Sequence, residues 1–136
     1  MKILSIVARI LLGLAFTAAG LSGFVIFFTS GPPAMPGLAG EFQSVFFRSH
    51  WVLFVDAVQL VTGALMLINR FTPLALVAIA AVLANILAFH ITLMPLGIFP
   101  GLILTICWLL VALPLRSCLG PLLVARASAS QQGARS

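Results

Sequence analysis

Among the polar side chains that stand inside the apolar stretches of this chain are Thr17, Asp56, Gln59, Asn85, His90 and Thr105. Asp56, Gln59 and Gly63 follow the spacing i, i+3, i+7, so they share one face of any helix that carries them. A carboxyl group beside a carboxamide can bind a polar head group by hydrogen bonds, or can handle a proton or a cation. Asn85 offers the same bonding without charge, and His90 adds a titratable ring. An ionised carboxylate in the middle of a membrane helix costs about 3 kcal/mol on insertion scales, so Asp56 is expected to face a protein interior. The same residues can also serve as helix-to-helix glue, worth about 0.6 kcal/mol per contact, and for Thr17 and Thr105 this is the favoured role.

The elements that must position these groups are read from composition. The chain has 136 residues, of which 62% are hydrophobic and 7% charged, whereas soluble domains carry about 25% charge. So few charges cannot cover a water-facing surface. The expectation is an all-α polytopic membrane protein, a four-transmembrane-helix bundle over residues 1–124. Its spans are placed at about 3–28, 51–69, 73–94 and 98–116, each near the roughly 20 residues that cross a bilayer. Lys2 and the first run could pass for a signal peptide, but roughly 26 residues exceed the 7–15 of a signal core, so a retained span is expected. Residues 125–136, A-R-A-S-A-S-Q-Q-G-A-R-S, have no apolar pattern and read as a mobile cytoplasmic tail.

Connections follow from breakers. Residues 29–40, with three prolines and three glycines, are expected not to be helical. Residues 41–50 place Phe42, Val45 and Phe46 on one face, away from Glu41, Ser44 and Arg48. This suits a short amphipathic helix on the membrane surface or an irregular loop tucked over the bundle. Together they make an outer loop, 29–50. Residues 69–72 form a tight turn, Pro73 opens the third span, and Pro95 with Gly97 closes it.

The seven basic residues sit singly at the ends of apolar runs and form no clustered face for nucleic acid. Four spans bring both termini to one side, together with Lys2, Arg9, Arg70, Arg116 and Arg126, against Arg48 alone. By the positive-inside rule that side is cytoplasmic, an N-in/C-in topology. Counting from the turn, Asp56 and Asn85 both lie roughly 20 Å from the inner face and meet at one level. Thr17 and Thr105 fall near that level, Gln59 one turn inward and His90 farther out. Gly13, Thr17 and Gly20 make a smooth stripe on the first span, and Gly63, on the face of Asp56 and Gln59, is a further helix-packing residue. That stripe could pack inside one chain or against a second copy. Arg9, at its inner end, reads as a snorkelling interfacial residue.

Cys107 and Cys118 are separated by roughly 16 Å along one helix and should not form a disulfide. No metal constellation, haem pair, nucleophile elbow, P-loop or dinucleotide fingerprint occurs, which points away from an enzyme acting alone.

Two segments resemble the DoxX-like family of small four-helix bacterial membrane proteins. One is R-I-L-L-G-L-A-F-T-A-A-G at 9–20. The more specific one is Q-L-V-T-G-A-L-M-L-I-N-R-F-T-P-L-A-L at 59–76, followed by A-N-I-L-A-F-H at 84–90. The likeness extends over most of the chain outside the loop and tail. The family pattern has glutamate where this chain has Gln59, with Asp56 one turn earlier as the nearest carboxylate. Asn85 and His90 match the pattern's asparagine and histidine. The resemblance implies a bacterial inner-membrane bundle, and in some relatives a subunit of quinone-linked redox or stress complexes.

Two readings follow. One is a membrane subunit with no covalent cofactor, binding a lipid-soluble ligand such as quinone through Asp56, Gln59 and Asn85 and meeting a membrane or periplasmic redox subunit. The alternative is a small proton- or cation-coupled transporter or channel using Asp56, as a homo-oligomer. A scaffold whose polar layer only sets register is the plainest possibility.

Overall fold

The computed structural model describes residues 1–124, and no strand occurs among the described residues. The helices are α1 (Lys2–Thr29), α2 (Gly37–Arg48), α3 (Trp51–Leu67), α4 (Thr72–Thr92), α5 (Ile98–Ala112) and α6 (Arg116–Leu119). Short 3₁₀ turns at Pro95–Gly97, Leu113–Leu115 and Gly120–Leu123 link or follow the last of these. Three stretches are long and apolar enough to cross a membrane: Lys2–Thr29, Thr72–Thr92 and Pro95–Leu123. A fourth is counted if α2 and α3, bent by 83° at their junction, are taken as one span. Only 17–28% of the most apolar window of each long helix is buried. Ile3, Leu14, Leu21, Val61, Leu74 and Ile103 all stand exposed, so the exterior suits lipid rather than water.

The helices form a ring in which α1 contacts α3 and α5, α3 contacts α4, and α4 contacts α5. The fully buried side chains are Leu12 and Phe16 of α1, Met66 of α3, Leu76 and Ile79 of α4, and Val111 of α5. All belong to the half of the ring that carries the α3–α4 turn. Toward the α2 end Phe24, Val55, Gln59, Ile86, Leu87 and Thr105 are half-buried, while Phe47, Val52 and Gly101 remain buried. Full burial of large side chains is thus confined to the turn end, and packing is less complete at the other.

Local chemistry explains the boundaries. α3 ends in a paired backbone closure, Arg70 N–H to Leu65 O at 3.0 Å and Asn69 N–H to Met66 O at 3.3 Å, with Asn69 left-handed at φ 54. The turn is therefore 68–71, one residue earlier than the spacing suggests, and Thr72 is already helical with Pro73 in the first turn. α5 stops at Ala112 because Pro114 follows, and the chain goes on in short helical pieces to Leu123, past the expected end at 116. The loop 29–50 needs the largest correction. α2 starts at Gly37, inside the segment expected to be non-helical, because all three of its prolines lie upstream and Pro36 caps the helix in extended geometry. At the α2–α3 corner His50 takes φ 61, and that left-handed residue makes the bend. The expected tail at 125–136 lies outside the described residues.

Candidate functional site

The seam between α1 and α3 is the closest helix approach, and glycine makes it possible. A Cβ on Gly20 would sit 2.6 Å from Asp56 O and 2.7 Å from Leu60 N. A Cβ on Gly13 would meet the Leu67 side chain at 2.9 Å, and one on Gly63 would collide with Thr17 N. The two helices run antiparallel, Gly13 against Leu67 and Gly20 against Asp56. The smooth Gly13/Thr17/Gly20 stripe thus packs inside one chain, against α3, and is not free for a second copy.

Asp56 lies on this seam and is buried. Its carboxyl lies over Gly23, close enough that any Cβ there would overlap it. Oδ2 is enclosed without a hydrogen-bond partner. Gly23 is absent from the sequence expectation, although it extends the 13, 17, 20 series by one further step. Thr17 Oγ1 is likewise buried and unpartnered, but it packs at the level of Gly63. It is about one and a half turns from the level of Gly23, so α1 does not bring Thr17 to Asp56 as depth counting suggests.

The other expected site residues divide. Gln59 is half-buried; its main-chain carbonyl accepts from Thr62 Oγ1 at 3.2 Å, while its side-chain amide makes no hydrogen bond to protein among the described residues. Thr105 faces inward in part but bonds back to Gly101 O at 2.7 Å within its own helix. His90 donates from Nδ1 to Ile86 O at 2.8 Å, leaving Nε2 as an acceptor in the neutral ring. Its ring fills the space over Gly97, where a Cβ would meet Nε2 at 2.7 Å. Asn85 departs from expectation: it is exposed on α4 and donates to Ala81 O at 2.9 Å. The buried row of α4 includes Leu76, Ile79 and Leu83, and Asn85 falls on the other side. Height was legible from counting, but facing was not, so the Asp56–Asn85 meeting does not form in one chain.

Aromatic side chains close the α2 end. Phe42 of α2 lies 5.4 Å from Phe89 of α4, and Phe47 lies 6.0 Å from Phe27 of α1, centroid to centroid. Phe27 also meets His50 at 5.4 Å. α2 is helical, but the face that packs is not the expected one: Ala39 and Phe47 are buried, whereas Phe42 and Val45 stand largely exposed.

Arg9 behaves differently from a snorkelling residue. It is half-buried, and Nη1 donates to Met66 O, with a longer contact to Leu67 O at 3.4 Å. The cation therefore sits on the carbonyls of the last turn of α3, Met66 O being shared with Asn69 N–H, where the helix dipole is negative. On the opposite seam Trp108 Nε1 donates to Leu76 O at 2.8 Å and ties α5 to α4. No group of three or more His, Cys, Asp or Glu side chains able to hold a metal occurs among the described residues.

These features define an all-helical protein with three to four helices of membrane-spanning length and a sparse polar interior. No family model, curated protein or solved structure matches the chain.

Proposed function

We propose that this is a four-span membrane protein of the DoxX-like type, with both termini on the cytoplasmic side of a bacterial inner membrane. Its role is that of a membrane subunit binding a lipid-soluble ligand, a quinone or a molecule of like chemistry, in a redox or stress-related complex. The observation that carries the reading is Asp56: a buried carboxyl oxygen without a partner, at the level where the fully packed half of the bundle gives way to the less completely packed half. Leaving such a group unmatched costs about 1–3 kcal/mol, and a ligand hydroxyl could supply the missing donor. Gln59 can donate to a ligand carbonyl and His90 Nε2 can accept. Lateral entry would be from the bilayer, beneath the aromatic face of α2. Asn85, facing away, is not assigned to this site.

The test is purification in mild detergent followed by native and small-molecule mass spectrometry of wild type, Asp56→Asn and Gln59→Ala. One quinone-like amphiphile per chain in wild type, lost in both variants while the fold is kept, is the expected result. Equal ligand in all three proteins, or none in wild type, would remove the reading.

A further inference from the structure

A groove of about 360 Å³ runs between α3 and α4 on the lipid-facing side, and its lining has no exposed polar surface. Its walls are Phe54, Val58, Val61 and Leu65 of α3 and Leu74 and Ala78 of α4. The hydroxyl of Thr62, which also lines it, is turned to Val58 O at 2.7 Å and adds no free polar group. The α3 wall, from Leu65 to Phe54, is about 16 Å long, and the α4 wall, from Leu74 to Ala78, about 6 Å. The α3 wall equals about one leaflet of a hydrocarbon core roughly 30 Å thick. One end opens at the α3–α4 turn. Arg70 follows in that turn, exposed, its main-chain N–H bonded to Leu65 O at 3.0 Å, which sets its backbone beside the last α3 residue of the groove and one turn before Leu74. Asp56 and Glu41 are the chain's only acids. The first is buried on the α1 seam and the second lies on α2 at the opposite end, so neither neutralises Arg70.

A cation at the interface, at the head of an apolar channel whose longer wall spans one leaflet, has the layout of a phospholipid. We infer that this groove is a binding site for one anionic phospholipid, its acyl chain lying between α3 and α4 and its phosphate on Arg70. A neutral amphiphile would leave the guanidinium unmatched. A second copy of the chain would bring no acid to meet it, since the turn end has none. The small side chains of Ala57 and Ala78 keep the channel open, and both are part of its lining.

The experiment uses the full chain, delipidated in detergent and titrated with phosphatidylglycerol or phosphatidylcholine under native mass spectrometry. Wild type should hold one phosphatidylglycerol in preference to phosphatidylcholine. Arg70→Gln should lower that preference about fivefold, the effect of one basic residue at an anionic surface. Arg116→Gln, which removes a cation remote from the groove, should leave it unchanged. Ala78→Phe and Ala57→Leu should weaken both lipids alike, with far-UV circular dichroism showing the helices intact. If one of these two fails to fold, the other carries the test. An unchanged preference in Arg70→Gln, an equal loss in Arg116→Gln, lipid retained in a folded groove-filled variant, or a lipid-free dimer would each overturn the inference.

Discussion

Replacing Gly20 by alanine tests the seam on which Asp56 is held. The added methyl would stand 2.6 Å from Asp56 O, 2.7 Å from Leu60 N and 3.0 Å from Leu60 Cα. All three are backbone atoms and cannot rotate away, so α1 and α3 must separate. Overpacking of this kind costs about 1–3 kcal/mol, offset by about 1 kcal/mol from replacing glycine inside a helix. The net expectation is a loss of up to about 2 kcal/mol. Gly101→Ala is the control, because its methyl would meet only side-chain ends, Leu87 Cδ2 at 3.2 Å and Ile86 Cγ2 at 3.3 Å. Those can give by a few tenths of an ångström, and the helix-propensity gain should leave that variant neutral or slightly more stable. Reversible unfolding in mixed micelles, followed by circular dichroism, measures both. Because Gly20 touches the peptide carbonyl of Asp56, Gly20→Ala should also reduce ligand retained on purification, whereas Gly101→Ala should not. Equal destabilisation by the two substitutions, or a stable Gly20→Ala protein, would refute the claim that close backbone approach builds this seam.

Three further outcomes follow from single contacts. Thr17→Val removes a buried hydroxyl that has no partner and should stabilise the bundle by about 1 kcal/mol in the same unfolding assay. Arg9→Gln withdraws the cation from the C-terminal carbonyls of α3 and should cost about 1–2 kcal/mol; a neutral result would mean the contact is incidental. Trp108→Phe loses the bond to Leu76 O and should cost about 1 kcal/mol, seen as a lower unfolding midpoint with an unchanged slope.

The sequence carries the fold further than the site, and particular residues show why. Apolar runs and the breakers Pro73, Pro95 and Pro114 locate the long helices to within a few positions, because hydrocarbon length and missing N–H groups act locally. Asn85 shows where such reasoning stops. α4 is apolar on nearly every side, so no polar stripe marks its outer face, and a count of residues gives depth without direction. The opposite holds for α1, where the glycine series did mark the packing face. Reading that series one step further, to Gly23, would have found the floor beneath Asp56. Arg9 was ambiguous because a cation near a helix end serves equally well in lipid head groups or on a neighbour's carbonyls. Only the position of the α3 terminus decides between them.

The clasp between Arg9 and the end of α3 bears on how the protein is made. α3 has 17 residues, about 25 Å of helix, and carries both Asp56 and Gln59, so it is a poor candidate to enter a bilayer unaided. α1 precedes it in synthesis and presents Gly20 and Gly23 to Asp56 and a cation to its last-turn carbonyls. Were α3 to enter a bilayer as a span, its insertion would then be templated by α1. Nascent chains ending just after α3 should integrate that helix with wild-type α1 and fail with the paired Arg9→Gln and Gly20→Leu changes. The order in which the helices leave the ribosome is, on this view, part of the information that folds the protein.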